Sequence, residues 1–381
     1  MSHYRQKFFL KDNPFGIVPD PEVKVWADRA RLKAQLEALI SNMLMSPPSR
    51  LVACFWGDWG AGKTHMAYYF SRPELLKAYS SKVGVSEPLS LHLIMPLRDV
   101  IDSIYVGVLD RIGLKRIRNA VDKILERHGI TSAEDQIRRL EPIVRDKMLA
   151  TAFSTSESFL QSYLYQTATS KELKEHRLAR GITWTGDKLR ALSAVLKLLS
   201  AVYSRIILWI DDSERLEQLS GRDLAEFQTF IRDLLDHVPK NLNIILLYTM
   251  TPGRKVEDML SYLGEALQSR MYRTIQVEVL SKEDFFEFVT DLLRQYRTSG
   301  AEKKVDAYFP FKDRPTLEYI YDKMKQRDVM LKKRRRSLPL VPRQINNFLS
   351  GLLEMALEDA KVKSIDKQLV DRYMSEPSYV F

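Results

Sequence analysis

Short apolar runs alternate with amphipathic stretches along the first three quarters of the chain. The runs are rich in β-branched and aromatic residues and are bounded by turn residues, which is typical of buried strands. The five runs are Leu51–Trp56, Leu89–Met95, Arg205–Ile210, Asn243–Tyr248 and Thr274–Val279. Stretches with helical spacing separate them, so the pattern predicts an α/β fold with helices on both faces of a parallel sheet.

One interval between predicted strands, from Pro96 to Ser204, is far longer than a crossover connection requires. It contains several segments with apolar residues at helical spacing. These segments are Val100–Leu114, Ile117–Arg127, Ala133–Lys147, Glu157–Tyr165 and Lys188–Tyr203. We therefore expect a large helical insertion over about residues 96–204.

After Val279 only helical patterns remain, and Ser281 is placed to cap the first of them. Further helices are predicted over Thr316–Lys325, Arg343–Asp359 and Ile365–Met374, with the basic run Lys332–Arg336 in a loop between two of them. This pattern divides the chain into an N-terminal segment (1–27), a sheet domain (28–279) and an all-helical C-terminal domain (280–381).

The composition of the 381-residue chain, 45% hydrophobic and 28% charged, is that of a globular protein with a substantial core. No apolar run reaches the ~20 residues of a membrane-spanning helix, and the first residues lack the apolar stretch of a signal peptide. The single cysteine, Cys54, allows no internal disulfide. We therefore expect a cytoplasmic protein that does not associate with membranes.

The formal net charge of +10 favours a polyanionic partner. The segment from Lys312 to Arg343 has eleven basic and four acidic residues, so it contributes +7 of this excess. Two basic segments, Lys332–Arg336 and Arg111–Arg118, could contact the phosphates of double-stranded DNA. A solvated surface loop is the alternative for either one.

A glycine-rich stretch follows the first predicted strand and precedes a helical pattern. It consists of Gly57, Asp58, Trp59, Gly60, Ala61, Gly62, Lys63 and Thr64, and it matches G-x-x-x-x-G-K-[ST]. Such a P-loop cradles phosphates with backbone N–H groups at the positive end of a helix. We expect it to bind ATP, with Lys63 at the β- and γ-phosphates and the Thr64 hydroxyl on Mg²⁺.

A second candidate element is the apolar run Ile206–Ile210, which ends in the two carboxylates Asp211 and Asp212. Unpaired charges at the end of a buried strand are costly, so a purely structural role explains them poorly. Beside a P-loop, Asp211 is expected to hold Mg²⁺. Asp212 lies where a base for the attacking water belongs.

With these motifs, the sequence resembles the AAA+ ATPases over most of its length. In that family the metal-binding Asp is usually followed at once by a catalytic Glu, whereas here Asp212 is followed by Glu214 two positions later. The resemblance implies an Mg²⁺-dependent ATPase, with Asp212 as the first candidate for the base and Glu214 as the second. The shorter Asp side chain implies slow hydrolysis.

The same resemblance assigns roles to residues further along the chain. Thr249, with Thr251 as second choice, corresponds to the polar sensor 1 residue that helps to orient the attacking water. Arg270, with Arg273 as second choice, corresponds to the arginine that reaches the γ-phosphate in a neighbouring subunit. Arg343 corresponds to sensor 2, an arginine of the C-terminal lid. For the threonines a turn, and for Arg270 an ordinary surface position, remain as alternatives.

The element Asn13-Pro14-Phe15-Gly16 is similar to one that lies against the adenine in ATPases that regulate transposition. Packing of Phe15 into the core is the alternative. The order of motifs is similar to that of the initiator-type and transposition-regulator branch of AAA+ proteins. The end of the sequence at Phe381 leaves no room for the winged-helix domain of initiators, which favours transposition-type or defence-type relatives.

This resemblance implies an ATPase that assembles into a ring or filament on DNA and regulates a transaction such as transposition or replication, with a protein partner. The alternative is a nucleotide-dependent switch or phage-defence ATPase that acts through a protein partner instead of DNA, with the 96–204 insertion as its docking site.

Overall fold

The structure is a computed structural model. It describes residues 3–18, 22, 25–27, 29–45, 51–238, 241–250, 256–333 and 339–376. Two of the sequence-based predictions, Thr251 and the residues Arg334–Arg336 of the basic run, lie outside these described residues.

Five parallel strands form one sheet in the order β2-β3-β4-β1-β5. The strands are β1 (Val52–Gly57), β2 (Leu89–Ile94), β3 (Ile206–Asp211), β4 (Leu242–Thr249) and β5 (Met271–Gln276). Strand β3, which lies between β2 and β4, is buried along its whole length, which explains its uninterrupted apolar run. The predicted α/β fold, with helices around a parallel sheet, is confirmed.

The last strand differs from its predicted position. The apolar alternation of Ile275, Val277 and Val279 predicts a strand over Thr274–Val279, whereas β5 spans Met271–Gln276. Because β5 lies at an edge of the sheet and most of its residues are exposed, hydrophobicity is a poor guide to its bounds. Val279, which the pattern places on the buried face, is 45% exposed.

Helices occupy most of the remaining described chain. Outside the insertion they are α1 (His3–Phe8), α2 (Ala30–Met45), α3 (Lys63–Phe70), α4 (Pro73–Val83), α12 (Gly221–His237), α13 (Val256–Gln268), α14 (Lys282–Tyr296), α15 (Arg314–Lys333), α16 (Pro342–Glu358) and α17 (Lys367–Ser375). The insertion contains α5 (Val100–Ile112), α6 (Leu114–Glu126), α7 (Ala133–Val144), α8 (Lys147–Phe153), α9 (Glu157–Leu164), α10 (Ser170–Glu175) and α11 (Thr185–Leu199). Two 3₁₀ helices span Ser213–Gln218 and Ala301–Lys303. Among the described residues no helix is both long and apolar enough to span a lipid bilayer.

The chain divides into two compact units. Unit 1 consists of Met1–Leu36, Gly57–Tyr69 and Gln276–Phe381, and unit 2 consists of Glu37–Trp56 and Phe70–Ile275. Unit 2 therefore holds nearly all of the sheet and the whole insertion. Unit 1 holds the P-loop segment together with the C-terminal helices.

The core of unit 2 joins the sheet to the insertion helices. Cys54 on β1 is fully buried there, with its Sγ 3.7 Å from the Sδ of Met259. The loop before α11 is fastened by the nearly buried carboxylate of Asp187. This carboxylate accepts hydrogen bonds from the backbone N–H groups of Thr183 and Trp184, at 3.3 and 3.2 Å.

Unit 1 has its own core, which the C-terminal helices form together with residues near the N-terminus. Phe8 of α1 is fully buried in it, and Leu10 forms an isolated antiparallel bridge with Arg297. The helix predicted over Thr316–Lys325 is longer in the structure, because α15 continues to Lys333. Lys332 and Lys333 are therefore helical, and their predicted position in a loop is wrong. No proline or glycine interrupts the chain between Pro315 and Lys333, so nothing local ends the helix earlier.

Candidate functional site

The P-loop connects the end of β1 to the start of α3, as the sequence predicts. Gly60 and Gly62 adopt left-handed φ angles of 81° and 92°, which side chains disfavour. A Cβ atom on Gly57 would lie 2.5 Å from the carbonyl oxygen of Val277. The loop therefore requires glycine at all three positions, and a phosphate can approach its backbone closely.

Lys63, the first residue of α3, is only 6% exposed. Its ammonium group donates to the carbonyl oxygens of Gly57 and Asp58, each at 3.0 Å. The N–H groups of the first turn of any α-helix point out of its N-terminus and give that end a partial positive charge. The loop therefore combines a buried cation with a helix N-terminus, which suits a phosphate group.

Arg29 lies against the P-loop, although sequence reasoning did not select it. Its guanidinium group donates to the carbonyl oxygen of Ala61 at 2.6 Å and to that of Glu278 at 2.7 Å. It thereby links the loop to the segment that follows β5. No motif marks this arginine, so only the folded backbone reveals its position.

Arg343, the predicted sensor 2 residue, is the second residue of α16 and lies directly beside the P-loop. Its backbone N–H lies 3.3 Å from the carbonyl oxygen of Gly60, and its guanidinium lies 4.0 Å above the centre of a Trp59 ring. A Cβ atom on Gly60 would lie 2.8 Å from the Cβ of Arg343. Unit 1 thus brings two separately predicted parts of the site together.

Phe15 is buried in the core of unit 1, with its ring centre 6.3 Å from that of Phe311. Its backbone N–H donates to the side chain of Asn13 at 2.9 Å, and Asn13 in turn donates to Ser350 at 2.8 Å. The segment therefore packs its phenylalanine into the core, which is one of the two alternatives left open by the sequence. Its contact with adenine stays a prediction.

In unit 2, Asp211 is the last residue of β3, and its carboxylate is held from two sides. One oxygen accepts the backbone N–H of Asp212 at 2.9 Å, and the other lies 3.4 Å from Nε2 of His92. Both side chains are nearly buried, with 8% of Asp211 and 11% of His92 exposed. Sequence reasoning missed His92, because it looked for metal-ligand spacing and did not consider which strand lies beside β3.

The two candidate bases have different surroundings in unit 2. Asp212 has a left-handed φ of 51°, and its carboxylate forms an ion pair with Arg215 at 2.7 Å. Arg215 also donates to the carbonyl oxygen of Met95 at 3.0 Å. The carboxylate of Glu214 instead accepts the backbone N–H of Thr249, the last residue of β4, at 2.9 Å. The structure thus joins Glu214, and not Asp212, to the predicted sensor 1 position.

The two candidate arginine fingers lie at the start of β5. Arg270 forms an ion pair with Asp236 of α12 at 2.6 Å. Arg273 is exposed and lies over the ring of its neighbour Tyr272, at 5.3 Å from the ring centre. The action of either arginine on the γ-phosphate of a neighbouring subunit stays a prediction.

The basic segment Arg111–Arg118 connects α5 and α6. Arg111, Lys115 and Arg116 are exposed, whereas Arg118 is half-buried and donates to the carbonyl oxygen of Phe153 at 3.0 Å. Arg116 also donates to the end of α5, at the carbonyl oxygen of Ile112. Arg111 and Lys115 are therefore the residues of this segment whose charges are directed to solvent.

The described residues contain no cluster of three or more His, Cys, Asp or Glu side chains that could enclose a metal ion. Taken separately, the hydroxyl of Thr64 in unit 1 and the carboxylate of Asp211 in unit 2 are oxygen donors of the kind that Mg²⁺ prefers, together with phosphate oxygens and water. Their joint binding of an Mg²⁺–nucleotide complex stays a prediction.

Searches of family models and of curated proteins find no match to this sequence. Solved structures, by contrast, resemble it closely in architecture. The ORC2 protein of Aeropyrum pernix, in its ADPNP–ADP complexes, has a TM-score of 0.54 and 14% identity, covering 96% of this chain and 71% of that one. The Aeropyrum pernix ORC1 protein in complex with DNA has a TM-score of 0.50 and 12% identity, covering 95% of this chain and 69% of that one.

The chain has the fold of initiator-type AAA+ ATPases. The ADP form of the same ORC2 protein is similar too, with a TM-score of 0.51 and 15% identity over 97% of this chain and 73% of that one. The resemblance inferred from the motifs is thereby confirmed at the level of the fold. At these identities the likeness does not extend to activity.

Proposed function

We propose that the chain binds ATP at the P-loop and hydrolyses it with the help of Mg²⁺. The observation that carries this proposal is the loop itself, in which two left-handed glycines and the buried Lys63 lie at the N-terminus of α3. The buried ammonium of Lys63 donates to two loop carbonyls, and a phosphate nearby would be a better acceptor, because a charged acceptor forms the stronger hydrogen bond. The fold, shared with proteins solved with ADPNP and ADP, supports the same conclusion.

Each residue of the proposed site has a physical task. Lys63 and the amides at the start of α3 bind phosphate oxygens, while Thr64 and Asp211 provide oxygens for Mg²⁺. Mg²⁺, when bound, neutralises negative charge on the phosphates. His92 and the backbone N–H of Asp212 hold the Asp211 carboxylate in one orientation.

We infer that Glu214 is the general base and that Thr249 positions it. A base must keep its carboxylate available to water, and the ion pair with Arg215 occupies the carboxylate of Asp212. The hydrogen bond between Glu214 and the end of β4 supports this order of candidates, which is the reverse of the order that the sequence suggests. Glu214 also has the side-chain length that is usual for this role in AAA+ proteins.

A matched pair of lysine variants tests the nucleotide site. Lys63→Ala removes the proposed phosphate contacts, and each charge-assisted hydrogen bond is worth ~1.5–3 kcal/mol, so ATP affinity should fall roughly a hundredfold. Lys77→Ala, which removes an exposed lysine from α4, is the control and should bind as the wild type does. Titration with a fluorescent ATP analogue measures both. Equal affinities for the two variants would refute the proposal.

We further propose that the ATPase assembles into a homo-oligomer, a ring or filament, on double-stranded DNA, and takes part in a transaction such as replication or transposition. The exposed cations Arg111 and Lys115, the net charge of +10 and the shared fold with an ORC1 protein solved in complex with DNA support this. Phosphate contacts of this kind give affinity that depends on salt but little sequence preference.

DNA binding is tested by two double variants that remove the same charge. Arg111→Ala with Lys115→Ala should weaken binding and lower the slope of log K against log salt by about 2, since each phosphate contact contributes ~0.9. Lys77→Ala with Lys82→Ala, on α4, should leave the slope unchanged. If the wild type with ATP shows no salt-dependent binding, the chain instead acts as a nucleotide-dependent switch on a protein partner.

A further inference from the structure

Trp59 is an unusual residue for its place, because a large indole in the P-loop is 61% exposed. The guanidinium of Arg343 lies 4.0 Å from the centre of one of its rings. This separation is shorter than the 4.8 Å between Arg314 and the Phe286 ring and the 4.9 Å between Lys323 and the Tyr319 ring. The contact is therefore close enough to limit the conformations of the long Arg343 side chain.

The backbone around this contact places Arg343 on the ring. Gly60 accepts the N–H of Arg343 at 3.3 Å, and the absence of a Cβ on Gly60 lets the start of α16 approach the loop. Pro342, the first residue of α16, fixes the backbone just before the arginine. The first turn of α16 is thus fastened to the loop, and the Arg343 side chain extends over Trp59.

Among the described residues no carboxylate forms an ion pair with the Arg343 guanidinium. Arg343 also lies in the first turn of α16, where the helix dipole disfavours a positive charge. The electron-rich face of the indole compensates part of this cost. Stacking uses only the face of the guanidinium, so its in-plane N–H groups keep their capacity for bidentate hydrogen bonds to a phosphate.

We propose that Trp59 is a positioning residue that holds the Arg343 guanidinium beside the P-loop before the nucleotide arrives. This inference rests on the proposed nucleotide site. In it, the ring of Trp59 is the part of the P-loop on which the Arg343 side chain lies. Since the arginine is already ordered on the ring, binding of the phosphates costs less side-chain entropy. Trp59→Ala should therefore weaken ATP binding roughly tenfold.

A double-mutant cycle separates this role from a general effect on the loop. Trp59→Ala, Arg343→Ala and the double variant are compared by ATP titration, after circular dichroism has verified that each is folded. If Trp59 acts through Arg343, its replacement has no further effect in the Arg343→Ala background, and Trp59→Phe keeps most of the affinity. Trp184→Ala, which removes another exposed tryptophan (67%) from the insertion, is the matched control and should bind ATP normally.

The contact itself is measured without nucleotide by ¹⁹F NMR of protein labelled with 5-fluorotryptophan. The chain has five tryptophans, and the Trp59 resonance is the one that is lost in Trp59→Phe. Arg343→Ala should shift this resonance and leave that of Trp184 in place. An unmoved Trp59 resonance, or equal costs of Trp59→Ala in both backgrounds, would overturn the inference. Normal ATP affinity in Lys63→Ala would refute the nucleotide site while the NMR result still reported on the stacking.

Discussion

The carboxylate of Glu214, in the 3₁₀ helix that follows the buried strand β3, accepts a hydrogen bond from the backbone N–H of Thr249 at the end of the neighbouring strand β4. The distance is 2.9 Å, and both residues belong to unit 2. In the parallel sheet β3 and β4 are adjacent, and their carboxyl ends lie at the same edge. Sheet topology therefore joins two residues that lie 35 positions apart in the sequence.

This relationship predicts different outcomes for the two candidate bases. Glu214→Gln should lower kcat by roughly 10² or more, since it removes a proton acceptor, and should leave ATP affinity nearly unchanged. Asp212→Asn should lower kcat much less, because its carboxylate is already engaged by Arg215. Steady-state phosphate release and ATP titration measure both quantities. A larger loss of kcat in Asp212→Asn would return the base role to Asp212.

Replacement of Gly60 is predicted to destabilise the protein for two reasons, which a control variant can separate. Gly60→Ala introduces a side chain at a positive φ and also places its Cβ 2.8 Å from that of Arg343. Gly84→Ala has a similar φ of 72° but open space around the new Cβ. Thermal unfolding should show a cost of ~1 kcal/mol for Gly84→Ala and a larger cost for Gly60→Ala.

ATP binding should distinguish the same two variants. Only Gly60→Ala is expected to lose ATP affinity, because only its Cβ would displace the start of α16 from the loop. Wild-type affinity in Gly60→Ala would show that the approach of α16 to the loop is not needed for binding.

Arg270 is predicted to act between subunits. Its ion pair with Asp236 holds the side chain in a fixed direction without burying it. If it reaches the γ-phosphate of a neighbouring subunit, Arg270→Ala should abolish the rise of specific ATPase activity with protein concentration while sparing ATP affinity. Arg273→Ala is the comparison, since it removes the same charge three residues further along the chain, within β5. If Arg273→Ala has the stronger effect, the role passes to Arg273.

The fold was predictable where a local pattern has one structural meaning. The apolar run of β3 is buried on both faces, and the glycine-rich loop lies between β1 and α3 with two of its glycines at left-handed φ, so both elements were correctly located. The exposed edge strand β5 shows the limit, because Val277 and Val279 continue the alternation beyond its last residue. The end of α15 shows the same limit, since charge alone does not end a helix.

The site was predictable as a set of motifs but not as a set of contacts. Arg29 and His92 have no sequence signal, because each acquires its partner only when distant segments pack together. The ranking of Asp212 and Glu214 as candidate bases likewise depends on the ion pair between Asp212 and Arg215, which forms only when the chain turns after β3. Chemistry that depends on a single residue type at a fixed spacing is readable in the sequence. Chemistry that depends on contacts between distant segments of the chain cannot be predicted from the sequence in this way.

The burial of Cys54 has a practical consequence for studying this protein. A fully buried sulfhydryl in the sheet reacts slowly with maleimide reagents as long as the protein stays folded. A cysteine engineered at an exposed position, such as that of Trp184, would then be the preferred attachment point for a fluorophore or spin label. Distances and movements of the labelled protein could be recorded without first removing the native thiol.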